Sequence, residues 1–341
     1  MRMKFESKSI FLPIGVILFL HFCVVNQAWC DNPTQIFSLD GSWDVTGYSA
    51  DRTKKIIVDG TVPGQIHPDL QRAGLIPDPF WRDQATSAQW PEHYEWQYKK
   101  TFDMPENFHQ NWTVIQFDGL DTYSDIFLNG RKLGSTNNMF LPYEFEIDGI
   151  LKPKGNILEV IFHAPTEFVR VKAENKKYPA AYESSRVYTR RMQCTYGWDW
   201  VHRFVTMGIW KSCRIVSYPN ARIDDLFAYT HSLTDKNAKL NLEFSITKID
   251  ETPKNGKLLI SDHNNQVVWE KSFDVKSPVM KFEADIRNPQ LWWPNGAGEQ
   301  PLYNVTAILY DSQNNELHRK TVETGIRTAR IEQIPDASRE K

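Results

Sequence analysis

The sequence predicts an all-β protein of more than one domain, and three observations carry that prediction. Runs of four to eight residues rich in Val, Ile, Phe, Tyr and Trp recur between turn signals, which is the pattern of short strands. Beyond residue 30 no long amphipathic helical pattern interrupts them. A length of 341 residues exceeds what one compact sandwich needs, so the starting expectation is two or three domains.

The elements follow in chain order. Residues 1–30 open with a basic start, continue with an apolar run from Ile10 to Val25, and close on Ala28-Trp29-Cys30. This is the layout of a cleaved secretory signal, so the chain is expected to be exported, to the periplasm, the medium or a lysosome according to the host. A membrane anchor is the competing reading. The run is shorter than the ~20 apolar residues a spanning helix needs and contains Pro13 and His21, so no membrane partner is expected after signal removal.

Residues 31–218 form the first predicted domain. WTVIQF (112–117), SDIFLNG (124–130), NILEVIF (156–162) and SCRIVSY (212–218) read as strands, and Asn129-Gly130 marks a type I′ hairpin because both turn residues need positive φ. Residues 63–76 are the best candidate for a short helix. MGIWKSCRIV (207–216) reads as a core strand, which leaves 193–203 as a loop. After Tyr218-Pro219-Asn220 come RIDDLFAYT, KLNLEFSITKI, GKLLISD, QVVWEKSFDV, MKFEADI, YNVTAILYD and HRKTVETGIR, seven strands in residues 219–328. That count suits an immunoglobulin-like sandwich. Residues 329–341 are polar and read as the start of a connector to a further module.

Charge and motifs exclude several functions. Lys+Arg 40 against Asp+Glu 42 gives no long-range field to recommend a nucleic acid or an anionic membrane. No G-x-G-x-x-G or G-x-x-x-x-G-K loop is present, so no nucleotide cofactor is expected. The nine histidines form no H-E-x-x-H and no cysteine–histidine cluster, and no metal site is expected either. There is no G-x-S-x-G nucleophile elbow. Once Cys23 and Cys30 leave with the signal, Cys194 and Cys213 fit equally a disulfide or two buried thiols. Asn111-Trp112-Thr113 and Asn304-Val305-Thr306 are glycosylation sequons, relevant only in a eukaryotic host.

One stretch points to chemistry. QCTYGWDWVHRF (193–204) sets Asp199 between Trp198 and Trp200, in a chain with 12 Trp and 13% aromatic residues. If the segment is extended, the two indoles share one face and Asp199 takes the other. The bland reading packs the indoles in the core and gives Asp199 a turn to cap. The functional reading places a binding loop on a rigid sandwich. A pyranose has hydroxyls at its edge and C–H groups on its face, so a carboxylate beside an indole matches both.

Beyond that chemistry, LDGSWDV (39–45), TVPGQIHPDL (61–70), FDGLDTYSDIFLNGRKLG (117–134), NNMFLPYEFEI (137–147), RRMQCTYGWDW (190–200), MGIWKSCRI (207–215) and NPQLWWPNGAGEQPLYNV (288–305) together resemble the N-terminal half of glycoside hydrolase family 2. The Q-C-x-x-G-W-D-W form resembles the β-mannosidase branch. The resemblance covers about Leu39 to Arg327. It implies a jelly-roll (galactose-binding-like) β-sandwich, then the immunoglobulin-like β-sandwich, then a (β/α)8 barrel that holds the two catalytic glutamates of a retaining hydrolase and starts after a segment like GIRTARIEQI (325–334). By that resemblance Trp198 lines a sugar subsite and Asp199 accepts hydrogen bonds from ring hydroxyls, the substrates being β-linked mannosides or related oligosaccharides. Family members often carry Gly-Pro after W-D-W where this chain has Val201-His202, which leaves the path of the loop beyond Trp200 open.

Other candidates carry less. Trp292-Trp293-Pro294 reads as domain packing and Asn138 as a turn residue. Glu92, Glu95 and Asp118 to Asp121 have no partner that the sequence places, so no catalytic residue is assigned, and the chain by itself is expected to be inert. Two alternatives stand beside the β-mannosidase reading: a stand-alone carbohydrate-binding protein, and a family relative with β-galactosidase or β-glucuronidase preference.

Overall fold

Side chains alternate between the two faces of a pleated strand, so a run with every second residue apolar has one face to bury. In the computed structural model of the protein, which describes residues 34–333 except 109–111, 176–177, 181–182, 249–252 and 254, those faces close in two successive sandwiches. The all-β expectation holds. Residues 1–33, with the expected signal, lie outside the described residues, as does Asn111. No helix among the described residues is long and apolar enough to cross a membrane.

The first sandwich contains β1 (Gln35–Ser38), β2 (Gly41–Ser49), β3 (Lys55–Val62), β4 (Tyr94–Phe102), β5 (Trp112–Phe117), β6 (Tyr123–Leu128), β7 (Arg131–Asn137), β8 (Tyr143–Glu146), β9 (Asn156–Phe162) and β10 (Cys213–Tyr218). A six-stranded sheet runs β3-β2-β4-β9-β6-β7, and a four-stranded sheet runs β1-β10-β5-β8. Trp43, Trp96, Tyr98 and Phe162 from the first sheet share a buried core with Ile115, Phe117 and Ile215 from the second. Between β6 and β7, Asn129 (φ 52°) and Gly130 (φ 81°) supply the two positive φ angles of the expected hairpin. The Asn129 side chain also donates to Ile150 O at 2.9 Å and accepts from Ile157 N at 2.9 Å.

Two local features differ from the sequence reading. Helix α1 (Ile66–Arg72) falls within the expected 63–76, but a second helix, α2 (Pro165–Asn175), was not foreseen. Among its described side chains Val169 is buried, and the exposed Phe168 stacks on Tyr123 with ring centroids 4.1 Å apart. Its signals were a proline at the helix start and the Arg170–Glu174 pair one turn apart. The expected strand 207–216 begins only at Cys213. Upstream of it, the carbonyls of Met207 and Ile209 accept from Ile66 N and Gly64 N, both at 2.9 Å, so this backbone serves the entry to α1 and no ladder.

The second sandwich contains β11 (Ala221–Leu233), β12 (Asn237–Lys248), β13 (Asn255–Ser261), β14 (Val267–Asp274), β15 (Val279–Arg287), β16 (Tyr303–Tyr310) and β17 (Glu316–Thr324). Its sheets run β11-β12-β15 and β14-β13-β16-β17. Phe244, Phe273 and Phe282 meet at its centre with centroids 5.2 to 6.0 Å apart. Trp292 packs against Gly325, whose added Cβ would lie 2.7 Å from the indole, and under Arg327 at 4.7 Å.

Where the two sandwiches join, Arg222 pairs with Glu144 on β8 at 2.7 Å and with Asp224 at 2.6 Å, and lies over the Trp112 ring at 4.6 Å. His318 accepts the Ile223 N–H at its Nδ1, 3.1 Å away, and meets the Tyr218 ring edge-on. Burial, then Lys320 and Arg222, lowers the His318 pKa to about 4.

Two outcomes follow. The ring of Trp96 lies on Gly47, and an added Cβ there would sit 2.4 Å from it. Gly47→Ala should therefore cost about 1–3 kcal/mol in a urea denaturation, as overpacking does. His318 binds its proton less readily folded than unfolded, so it makes stability rise with pH through the window from about 4 to the ordinary histidine value of 6.5. A His318→Gln variant should show a flatter stability curve across that window, measured by thermal melts at fixed ionic strength.

Candidate functional site

Residues 183–206 lie between α2 and β10, contain no strand, and fold back on themselves through single turns of 3-10 helix at Ser184–Tyr188 and Gln193–Tyr196. They are anchored where the loops after β3, β5 and β7 converge. Asn138 pairs with Arg190, Asp121 pairs with Gly208, and Met139 N donates to Arg190 O at 2.9 Å.

At the base sits a fully buried ion pair, Arg191 to Asp121, at 3.0 Å. Asp121 Oδ2 also accepts from Thr206 Oγ1 at 2.8 Å and Gln65 Nε2 at 3.2 Å, and Thr122 Oγ1 donates to Oδ1. Arg191 donates in addition to Thr206 O at 2.9 Å. Above it two guanidinium groups, Arg191 and Arg203, each approach the Tyr196 ring to 5.5 Å from its centroid. Burial raises the Tyr196 pKa, which keeps the phenol a neutral donor, and its hydroxyl meets Thr189 Oγ1 at 3.2 Å. Arg203 is held in turn by Glu92, which is buried, through contacts of 2.8 to 3.2 Å, and by Glu183. Acid, arginine, tyrosine, arginine and acid thus form one continuous column.

The aromatic-acid stretch projects from this column. Gly197 adopts φ +90°, and Trp198 and Val201 then exchange backbone hydrogen bonds of 3.0 and 3.4 Å, which makes Asp199 and Trp200 the tip of a tight turn. The stretch is a turn and is not extended, so the alternation expected of Trp198 and Trp200 does not occur. All three residues are exposed, Trp198 at 39% and Trp200 at 71%. The Arg186 guanidinium lies 4.6 Å from the Trp198 centroid. Gln193 fixes that arginine from both directions, accepting from its Nε at 3.2 Å and donating to its carbonyl at 2.9 Å.

The remaining candidates also find places. Glu95 is shared by Arg52 and His163, and Asp118 pairs with Arg214 at 2.7 Å. Asn138 Oδ1 accepts Phe140 N at 3.0 Å, the contact of a turn residue. Cys194 and Cys213 are free thiols, and burial pushes the Cys213 thiol well up. Sequence reasoning missed Arg186, Arg191, Gln193 and Arg203. Their signal was present as arginines interleaved with aromatics from Arg186 to Phe204, in a chain with no other reason to concentrate cations there.

Two family profiles match the chain: "Glycosyl hydrolase 2 galactose-binding domain-like" over residues 43–211, and "Glycosyl hydrolases family 2" over residues 221–327. The chain belongs to glycoside hydrolase family 2. Among curated relatives, beta-mannosidase B of Aspergillus fumigatus is 30% identical over 310 residues, which are 89% of this chain and 36% of that protein. The beta-mannosidase of Rattus norvegicus is 28% identical over 318 residues, 88% of this chain and 35% of its own length. The solved beta-D-mannosidase from Dictyoglomus thermophilum superposes with TM-score 0.78 at 35% identity, covering 86% of this chain and 36% of that one. A Bifidobacterium dentium beta-glucuronidase, TM-score 0.62 at 20% identity, shares the fold. The chain thus spans little more than a third of the length of these mannosidases, and across that span it is β-mannosidase-like.

Breaking the base pair should be costly. Arg191→Met leaves Asp121 charged and buried, and is expected to lose about 3–5 kcal/mol of stability in urea unfolding. It should also expose residues 192–204 to limited proteolysis. Adding Asp121→Leu should recover much of the stability, because the uncompensated charge is gone.

Proposed function

We propose that this chain supplies the sugar-contacting loop of a retaining β-mannosidase-type glycoside hydrolase acting on terminal β-linked mannosides. The observation that carries the proposal is the exposed Trp198-Asp199-Trp200 turn standing on a buried, ion-paired base. The Asp199 carboxylate accepts hydrogens from ring hydroxyls, and an indole face beside it receives the C–H face of the same pyranose. Because the column of Asp121, Arg191, Tyr196 and Arg203 fixes the base, the turn keeps its geometry before substrate arrives, and less entropy is lost on binding. Likeness to three β-mannosidases supports mannose as the sugar.

Bond cleavage in a retaining mechanism needs two carboxyl groups ~5 Å apart, one attacking the anomeric carbon and one exchanging the proton. Near the turn, Asp121, Glu92 and Glu183 are all engaged by arginines. We assign the cleaving pair to a barrel domain beyond the two sandwiches. In the same reading residues 1–30 direct export, and N-terminal sequencing of the mature protein should begin after Cys30.

The test is Asp199→Ala in the enzyme extended through its barrel. On a nitrophenyl β-mannoside, kcat/KM should drop by a few kcal/mol of transition-state stabilisation, roughly the worth of a hydrogen bond to a charged group. An unchanged rate would return Asp199 to turn capping.

A further inference from the structure

We infer a second carbohydrate site on the immunoglobulin-like sandwich, in the groove between Trp293 and the β16–β17 edge, shaped for one hexose unit of an oligosaccharide. It is separate from the Trp198-Asp199 turn and does not depend on it.

Four tryptophans are exposed among the described residues: Trp81, Trp198, Trp200 and Trp293. Arg82 lies over Trp81 at 5.4 Å, and Arg186 lies over Trp198 at 4.6 Å. Among the described residues, no cation or ring stacks on Trp200 or on Trp293. Trp200 sits at the tip of a turn. Trp293, 48% exposed, is instead one wall of a groove.

This wall is held in place. Trp293 N donates to Glu299 O at 2.8 Å, and Gln300 Nε2 donates back to Trp293 O at 3.1 Å and to Gly298 O. Gly298, at φ +158°, packs so closely that an added Cβ would lie 2.7 Å from the indole Cδ1. The expected packing role therefore fits Trp292, which lies against Gly325 and Arg327, while Trp293 turns outward.

Polar groups of the sheet line the same groove. Asn304 on β16 and Glu323 on β17 are direct cross-strand partners, so their side chains leave the sheet side by side on one face. Both line the groove, with Gln290 and His263 nearby. A carboxylate next to a carboxamide offers an acceptor and a donor to two adjacent ring hydroxyls, and the indole meets the apolar ring face. A flat apolar partner protein would find charge where it needs contact; a pyranose finds both of its surfaces matched. The groove is open on one side, so binding is expected in the millimolar range.

The test is a titration of the full chain with β-1,4-mannotetraose, followed through the indole N–H resonance of Trp293, assigned with Trp293→Phe. A saturable shift of that resonance is expected. It should persist in Asp199→Ala, and should weaken about tenfold in Asn304→Ala and in Glu323→Gln, as for loss of one hydrogen bond. Both latter positions are on the sheet surface, and an unmoved Trp293 resonance in the sugar-free variants shows that the fold is kept. No shift up to about 20 mM sugar overturns the inference. So does a shift indifferent to both edge variants, one abolished by Asp199→Ala, or a resonance that moves with protein concentration and marks a contact between copies. If Trp293 responds while Trp198 and Trp200 do not, the inference stands and the function proposed for the turn falls.

Discussion

The turn that presents Asp199 depends on a contact that solvent never reaches, the ion pair of Asp121 and Arg191. Two charges without water need close partners, and here the carboxylate receives Arg191, Thr206, Gln65 and Thr122, while Arg191 donates through Nη2 and its Nε and Nη1 find no hydrogen-bond partner among the described residues. Removal of either charge leaves the other stranded, so the pair has one geometry or none. That is a poor way to gain stability and a good way to define position. It ties the loop after β5 to a segment 70 residues later, and the isolated backbone bridge of Asp121 with Gly208 reinforces the tie.

From this base the order is passed upward by contacts of alternating kind. Arg191 and Arg203 approach the Tyr196 ring, and Glu92 and Glu183 hold Arg203. The ring attracts both cations, and the carboxylates of Asp121, Glu92 and Glu183 offset the repulsion between them. Each carboxylate close to the turn is thereby engaged, and Asp199 at the tip is left exposed. An irregular segment of this kind can be as well fixed as a strand, provided its side chains supply the hydrogen bonds that a ladder would have made.

The fold was legible in the sequence because a strand declares itself through near neighbours. Alternation in KLNLEFSITKI and the Asn129-Gly130 turn are local signals, and both read true. Helix α2 was missed because, among its described side chains, the apolar anchors Val169 and Phe168 are adjacent in sequence and show no 3.6-residue period. The expected strand at 207 failed for a tertiary reason, since the carbonyls of Met207 and Ile209 are taken by the approach to α1. In the site, Trp198 and Asp199 were visible as an odd local composition. Their base was not, because the Asp121–Arg191 and Glu92–Arg203 pairs join residues 70 and 111 positions apart, and nothing in either neighbourhood names its partner.

The tryptophans divide by what covers their faces, and that division bears on how the molecule can hold a sugar. Trp43 and Trp112 lie beneath Lys100 and Arg222, while Trp90 and Trp96 pack against rings, so these indoles are consumed by the fold. Trp200 and Trp293 are exposed without such a cover, one on each sandwich. A single open indole with one acid desolvates only one side of a pyranose, which gives weak binding. Two weak sites on one body can still retain a long oligosaccharide, because the second contact forms at an effective concentration set by geometry. This requires a stiff joint between the sandwiches. The ion pair of Arg222 with Glu144 and the edge-on contact of the His318 ring with Tyr218 cross it, so both oppose hinging between the two open faces.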